Sequence, residues 1–282
     1  MTLLAIPFPD IDPVAIALGP IAIKWYGLAY IAGLALGWAY IRSLLARPQL
    51  WPGSRAPFAV AAVDDLFVWV TLGVVIGGRL GHVLFYDPLH YMAHPLQAFA
   101  IWQGGMSFHG GFLGVVVAML LFAWRRRLST WTLFDVVAAA TPIGLFFGRI
   151  ANFINGELWG RPADVAWAMV FPGAGPEPRH PSQLYEACLE GVALFLVLLV
   201  ATWVFRSLRR PGLTAGLFAV GYGVARIIGE QFRMPDAQIG FLPGGLTMGM
   251  ALSIPMIVVG AWAIWRALSR PRIGDETPTT PQ

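Results

Sequence analysis

The 282-residue chain is 57% hydrophobic and only 12% charged, with a mean hydropathy of +0.66, which excludes an ordinary soluble domain and indicates a polytopic membrane protein. Its formal charge of +4 and pI near 9.6 would suit nucleic acid, but the basic residues stand at the ends of apolar runs, where they report topology and anionic headgroups; no nucleic-acid partner is expected. A single cysteine, Cys188, excludes an intrachain disulfide and any cysteine-based metal cluster, and on an apolar helix it reads as packing.

The opening segment, MTLLAIPFPDIDPVAIALGP, lacks a basic n-region and is broken by Pro7, Pro9 and Pro13, so it reads as an ordered or interfacial lead-in and not as a cleaved signal peptide. Apolar runs then predict seven transmembrane helices, over residues 21–44, 58–81, 107–124, 131–150, 183–205, 213–231 and 246–267, each near the ~20 residues a helix needs to cross hydrocarbon. Basic clusters follow the first (Arg42, Arg47, Arg55), third (Arg125, Arg126, Arg127), fifth (Arg206, Arg209, Arg210) and seventh (Arg266, Arg270, Arg272) of these. All fall on one side, which puts the N-terminus outside and the C-terminus in the cytoplasm.

Residues 82–106 are too interrupted by Pro88 and Pro95 to span but are rich in aromatics, which suits interfacial helices. Residues 156–182 hold several Pro and Gly and read as a structured periplasmic loop. The segment IGDETPTTPQ, 273–282, has no apolar face and reads as a disordered cytoplasmic tail, leaving 1–272 as one transmembrane domain. Glycines four apart recur at Gly33 and Gly37, Gly73 and Gly77, Gly110 and Gly114, Gly144 and Gly148, and Gly212 and Gly216, the spacing that lets helix backbones approach closely. Asp64 and Asp65, at the start of the second span, read as helix caps.

Polar chemistry gathers at the outer helix ends. Arg149 and Asn152 share a helix face, with Asn155, Glu157 and Arg161 close behind, at a depth where guanidinium and amide groups are costly and usually face a wet cavity. Taken alone, Arg149 reads equally as an arginine snorkelling to the interface. Arg226, Glu230 and Arg233 occupy i, i+4 and i+7, with Tyr222 one turn earlier. A structural ion pair accounts for Arg226 and Glu230 but leaves an arginine over. Surplus guanidinium in an outer-leaflet cavity is what a phospholipid phosphate requires, since its planar fork matches phosphate oxygens. Arg79, His82, Ser107 and His109 lie in the same leaflet, and His109 either accepts a proton near neutral pH or is a hydrogen-bonded interfacial histidine. There is no HExxH pair, no convincing metal spacing among His82, His90, His94, His109 and His180, and no GxSxG elbow. An enzyme acting on an outer-face lipid explains the one-sided crowding; a transporter or flippase for anionic phospholipid, working without covalent chemistry, is the alternative, although no internal repeat of the transporter kind is evident.

Six ordered motifs carry a resemblance: IKWYGLAY at 23–30, GGRLGHVLFY at 77–86, MSFHGG at 106–111, GRIANFINGELWGR at 148–161, RHPSQLYE at 179–186 and YGVARIIGEQFR at 222–233. Over nearly its whole length the chain resembles the prolipoprotein diacylglyceryl transferases of bacterial inner membranes. The resemblance implies seven transmembrane helices in a multi-pass protein of the inner membrane, with 1–272 as a catalytic domain. It implies transfer of the diacylglyceryl group of phosphatidylglycerol to the lipobox cysteine of a prolipoprotein signal peptide, forming a thioether and releasing glycerol 1-phosphate, without metal or organic cofactor. By motif, its functional positions are Tyr26, His109, Arg149, Asn152, Glu157, Gly160, Arg226, Glu230 and Arg233. Arg149 and Arg226 are then expected to stabilise charge on the departing phosphate, and His109 to serve as base for the thiol. Glu230 is expected to hold Arg226 in place, Asn152, Glu157 and Arg233 to position headgroup or loop, and Tyr26 to contact the headgroup.

Overall fold

Long apolar stretches satisfy their backbone polar groups away from water by forming helices, and the computed structural model of the chain, which describes residues 6–9, 11–19, 21–235 and 240–270, is built that way. In chain order the helices are α1 (Trp25–Leu45), α2 (Ala62–Phe85), the short α3 (Pro88–Ala93), α4 (Phe108–Arg126), α5 (Thr130–Ile154), α6 (Ser182–Glu186), α7 (Leu194–Trp203), α8 (Leu213–Glu230) and α9 (Met248–Leu268). A π-helical stretch, Ala187–Ala193, joins α6 to α7, so that Ser182–Trp203 runs as one rod. Among the described residues six helices are long and apolar enough to cross a membrane: α1, α2, α5, the α6–α7 rod, α8 and α9.

Two of the expected spans begin late. The first was expected from residue 21, but Ile21–Lys24 is a strand, β3, paired antiparallel with β2 (Val14–Leu18), and the helix starts at Trp25. The second starts at Ala62 and continues to Phe85, four residues past its expected end. Much of the expected lead-in is thus ordered: Ile6–Pro7 forms β1, which pairs in parallel with β4 (Met169–Val170) in the loop expected to be structured. The expected tail, 273–282, lies outside the described residues.

Glycine decides which helices touch. A Cβ added at Gly73 would lie 2.6 Å from the Gly114 carbonyl, and one at Gly81 2.7 Å from the Gly110 Cα, so α2 and α4 pack backbone to backbone. Gly33 meets Gly144 where α1 crosses α5, and Gly216 meets Gly260 between α8 and α9. A Cβ at Gly148 would meet nothing within 4 Å; this glycine leaves open space instead.

The basic loops converge on one end of the bundle, over a core of Leu44, Leu45, Trp51, Val63, Val136, Ala139 and Leu208. There Arg209 donates to the Gln49 carbonyl at 2.9 Å, Arg210 reaches the Leu268 carbonyl, and Arg47 lies over the Trp203 ring. Asp64 and Asp65 stand in the first turn of α2 but cap nothing with their side chains, contrary to expectation. Asp64 accepts from Trp38 Nε1 at 2.7 Å and pairs with Arg42, while Asp65 pairs with Arg126, so the two carboxylates tie α2 to α1 and α4. Cations on neighbouring helices outcompete the backbone N–H groups for these oxygens.

At the opposite end, residues 86–106 fold as α3 and short 3-10 turns, and present Leu89, Met92, Leu96, Phe99 and Trp102 almost fully exposed. Buried Arg79 of α2 anchors this excursion, donating to the carbonyls of Gln97 (2.5 Å), Ala98 (2.7 Å), Gly104 (2.6 Å) and Gly105 (3.1 Å).

Candidate active site

The last turns of α5 carry Arg149 and Asn152, and the chain then reverses through Gly156, whose φ of 64° suits a residue without a side chain. The reversal brings Glu157 back to Asn152, whose Nδ2 donates to Glu157 Oε1 at 2.8 Å, while the Glu157 N–H caps the Asn152 carbonyl at 3.0 Å. Gln183 and Ser182, opening α6, hold the same loop through the carbonyls of Glu157 (2.6 Å) and Leu158 (3.1 Å). Gly160 sits in a crossing that admits no side chain: an added Cβ would lie 2.5 Å from the His180 carbonyl and 2.7 Å from that of Phe232. Its N–H donates to His180 O, and the next N–H, of Arg161, to Phe232 O. The Arg161 side chain then caps the end of α8, donating to the carbonyls of Glu230 and Arg233. Burial pushes the imidazole of His180, which also contacts Tyr185 Oη at 3.1 Å, below the ordinary histidine range.

Beneath this loop three arginines meet three carboxylates. Arg149 Nη1 lies 2.9 Å from Glu186 Oε2, and its Nη2 and Nε lie 2.9 and 3.0 Å from Glu190 Oε2. Arg226 bridges Glu186 Oε1 (3.0 Å), Glu190 Oε1 (3.7 Å) and Glu230 Oε1 (2.5 Å), and Arg233 approaches Glu186 Oε1 at 3.5 Å. Glu186 and Glu190 are completely buried, whereas the Arg149 and Arg226 side chains keep 15% of their surface exposed. Glu186 ends α6 and Glu190 lies in the π-helical stretch, a distortion that recurs at functional sites.

The expected surplus of guanidinium is therefore not what this cluster holds. Three arginines and three glutamates cancel formally, and the remaining cations nearby, Arg161 and Arg179, are engaged with carbonyls. The reason is that carboxylates from the α6–α7 rod reach arginines of α5 and α8, which unpaired would be too costly to bury. The carboxylates lie on the closed side of the arginines. Two of the five donor hydrogens of Arg149, on Nε and Nη2, bond Glu190 Oε2, Nη1 is ion-paired with Glu186 Oε2, and the part of the side chain left exposed faces outward.

Outward is a groove of about 450 Å³ walled by α1, α2 and α5. Leu34, Ile41, Leu66 and Val70 make it apolar along most of its length, Gly33, Gly37, Gly144 and Gly148 give it room, and Arg149, Asn152 and Tyr222 form its polar end. Such a slot, greasy along its length and equipped with planar donors at one end, matches an acyl chain attached to an anionic headgroup.

The structure thus brings Arg149, Asn152, Glu157, Gly160, Arg226, Glu230 and Arg233 into one neighbourhood. Tyr26 joins it indirectly, its Oη 3.1 Å from that of Tyr30, which lines the groove. His109 does not line it: it is exposed in the first turn of α4, a helix packed chiefly on α2. Sequence reasoning missed Glu186 and Glu190, although two carboxylates at i and i+4 within an apolar helix carried the same signal as the arginines. It also missed Gly249 of α9, where an added Cβ would lie 2.7 Å from Glu230 Cδ and 3.1 Å from Arg226 Nε. Among the described residues no group of three or more His, Cys, Asp or Glu side chains is arranged to hold a metal ion.

The sequence profile described as prolipoprotein diacylglyceryl transferase matches residues 13–266. Proteins named phosphatidylglycerol–prolipoprotein diacylglyceryl transferase are similar to nearly the whole chain. That of Agrobacterium fabrum is 56% identical over 264 residues, covering 93% of this chain and 94% of the relative. That of Rhizobium leguminosarum is 58% identical over 268 residues (94% and 95%), and that of Rhodopseudomonas palustris 58% identical over 262 (92% and 91%).

Proposed function

The chain belongs to the prolipoprotein diacylglyceryl transferase family, and on that premise we propose that the groove and the arginine–glutamate cluster together perform its reaction. The activity is transfer of the diacylglyceryl group from phosphatidylglycerol to prolipoprotein. No relative named above points to a carrier. The observation that carries the assignment of the site is the apolar groove ending on the open edge of Arg149.

In this reading the acyl chains lie along α1, α2 and α5, and the phosphate meets Arg149 and Arg226. The lipobox cysteine sulfur attacks the glyceryl carbon, and the bond from that carbon to the phosphate oxygen breaks. A thioether forms and glycerol 1-phosphate leaves with the electron pair. The phosphate goes from monoanion to dianion, so donors already aimed at it bind the transition state more strongly than the substrate. Glu186, Glu190 and Glu230 hold the guanidinium planes in place, which saves reorganisation at the moment of reaction. Asn152 and Glu157 orient the headgroup, Gly160 fixes the loop above it, Arg233 secures the cluster, and Tyr26 acts through Tyr30 at the groove.

The incoming thiol, with a free pKa of about 8.5, must lose its proton. A neutralised cluster does little to favour the thiolate by its field alone, which strengthens the assignment of that step to a base, and His109 is that base. Its exposure in the first turn of α4 leaves the imidazole open to an incoming thiol in this reading.

The same reading makes α4 the seventh span. It has 19 residues, about 28 Å of helix, and it runs beside α2. The convergent basic end then faces the cytoplasm, residues 86–106 lie in the outer interface, and the loop over the cluster faces the periplasm of a bacterial inner membrane. Incubation of purified protein with phosphatidylglycerol and a lipobox peptide tests the function: glycerol phosphate release with the peptide gaining a diacylglyceryl mass supports it, and lipid movement without a thioether refutes it. Near-normal turnover and pH profile in His109→Gln would remove the base assignment alone.

A further inference from the structure

The mechanism makes no use of Asp135, a fully buried carboxylate near the start of α5. It accepts the Gly212 N–H at 2.6 Å and the Ala215 N–H at 2.7 Å, at the first turn of α8. That turn has no cap of its own: Gly212 holds a φ of 98° with the Trp131 ring 2.9 Å from where its Cβ would be. The carboxylate is thus stabilised by the N–H groups and positive end of a helix other than its own.

The two helices are parallel, because they meet again at their far ends, where Arg149 and Arg226 share Glu186 and Glu190. Fourteen residues separate Asp135 from Arg149, and fourteen separate Gly212 from Arg226. Each arm is about 21 Å of helix, close to four turns, so a contact that aligns the starts of α5 and α8 delivers the two arginines at the same depth. Elsewhere α8 is held by Ser207 at Thr214 and, at its far end, by the ion pairs of Arg226 and the Arg161 cap, but its long contact with α9 offers no such reference. Gly216 and Gly223 pack it against α9 through van der Waals contact, which is tolerant of axial sliding in a way that a pair of directional bonds to one buried carboxylate is not.

We propose that Asp135 is a positioning residue that sets the axial register of α8 against α5 and so brings Arg226 level with Arg149. The inference rests on the assignment of those arginines to the phosphate. The test uses full-length protein in nanodiscs with Cys188→Ser and spin labels at positions 155 and 231, exposed at the outer ends of the two helices. Asp135→Ala should shift or broaden the label separation by up to one turn, about 5 Å. It should also lower kcat at least tenfold while the KM for phosphatidylglycerol changes less than threefold. Asp135→Asn, which keeps one acceptor oxygen and serves if the alanine variant fails to fold, should show the same changes at smaller amplitude. A wild-type separation in a folded variant, whether or not activity or melting temperature falls, would reduce Asp135 to a helix cap and overturn the inference. A shifted separation with full kcat would instead overturn the assignment of Arg149 and Arg226.

Discussion

Two arginines near the same end of the bundle, buried Arg79 on α2 and partly buried Arg149 on α5, answer the cost of burial in opposite ways. Arg79 spends its donors on four backbone carbonyls and fastens an irregular excursion to its helix. Arg149 rests on two carboxylates and keeps donors facing a groove. Carbonyl dipoles take four of the five donor hydrogens of Arg79 without neutralising it, whereas the carboxylates behind Arg149 orient its plane and leave part of it bordering the groove. Sequence alone places the two residues in the same class; their partners separate them.

The comparison breaks first at the cluster. Arg149→Ala and Arg226→Ala should each lower transfer by at least a hundredfold, the scale of losing a principal oxyanion donor. Each also removes a cation from the buried carboxylates and leaves them in excess, at about 3–5 kcal/mol of stability. Mass-spectrometric peptide assays on variants that retain native helicity measure the first, and chemical unfolding in detergent the second. Full activity in either variant would place the phosphate elsewhere.

Gly249→Ala should come next, at roughly a tenfold loss in kcat, because its methyl group displaces Glu230 and with it Arg226. Shortening the carboxylate with Glu230→Asp in the same chain should recover part of that loss, since it vacates the contested space. If the double variant is worse than either single one, the steric explanation fails.

Arg79→Ala sharpens the contrast from the other side. Loss of several buried charge-assisted hydrogen bonds should cost about 2–4 kcal/mol and loosen residues 86–106, read as faster proteolysis there, while the folded fraction keeps kcat within about threefold. A catalytic loss as deep as that of Arg149→Ala would erase the distinction drawn between them.

The smallest effect belongs to His180. Its pKa is lowered in the folded protein by burial, so the neutral form is favoured. The stability it contributes is fully present above about pH 6.5, the unfolded value, and is lost as pH falls below it. Thermal unfolding between pH 7.5 and 5 should therefore show a shallower pH dependence in His180→Gln than in the parent.

Much of this was legible residue by residue. Spans, basic ends and glycine stripes each follow from local composition, and GRIANFINGELWGR and YGVARIIGEQFR named most of the site because polar groups in apolar helices stand out. The strand at Ile21–Lys24 was hidden, since a short apolar run that opens a span is read as part of it. Glu186 and Glu190 were visible as types and missed as partners, which turned an expected cationic cavity into a balanced cluster.

What the chain determines by itself is the part of the physics that adds up along it: transfer free energy into hydrocarbon sets where helices lie, and charge sets which ends gather together. Pairing does not add up that way. Whether Arg149 is a free cation or one edge of a neutral network depends on carboxylates 37 and 41 residues away, and its depth relative to Arg226 on a contact 77 residues apart in sequence. Only the packing of the helices chose those neighbours, because electrostatic and hydrogen-bond energies in a dry interior are decided within a few ångströms.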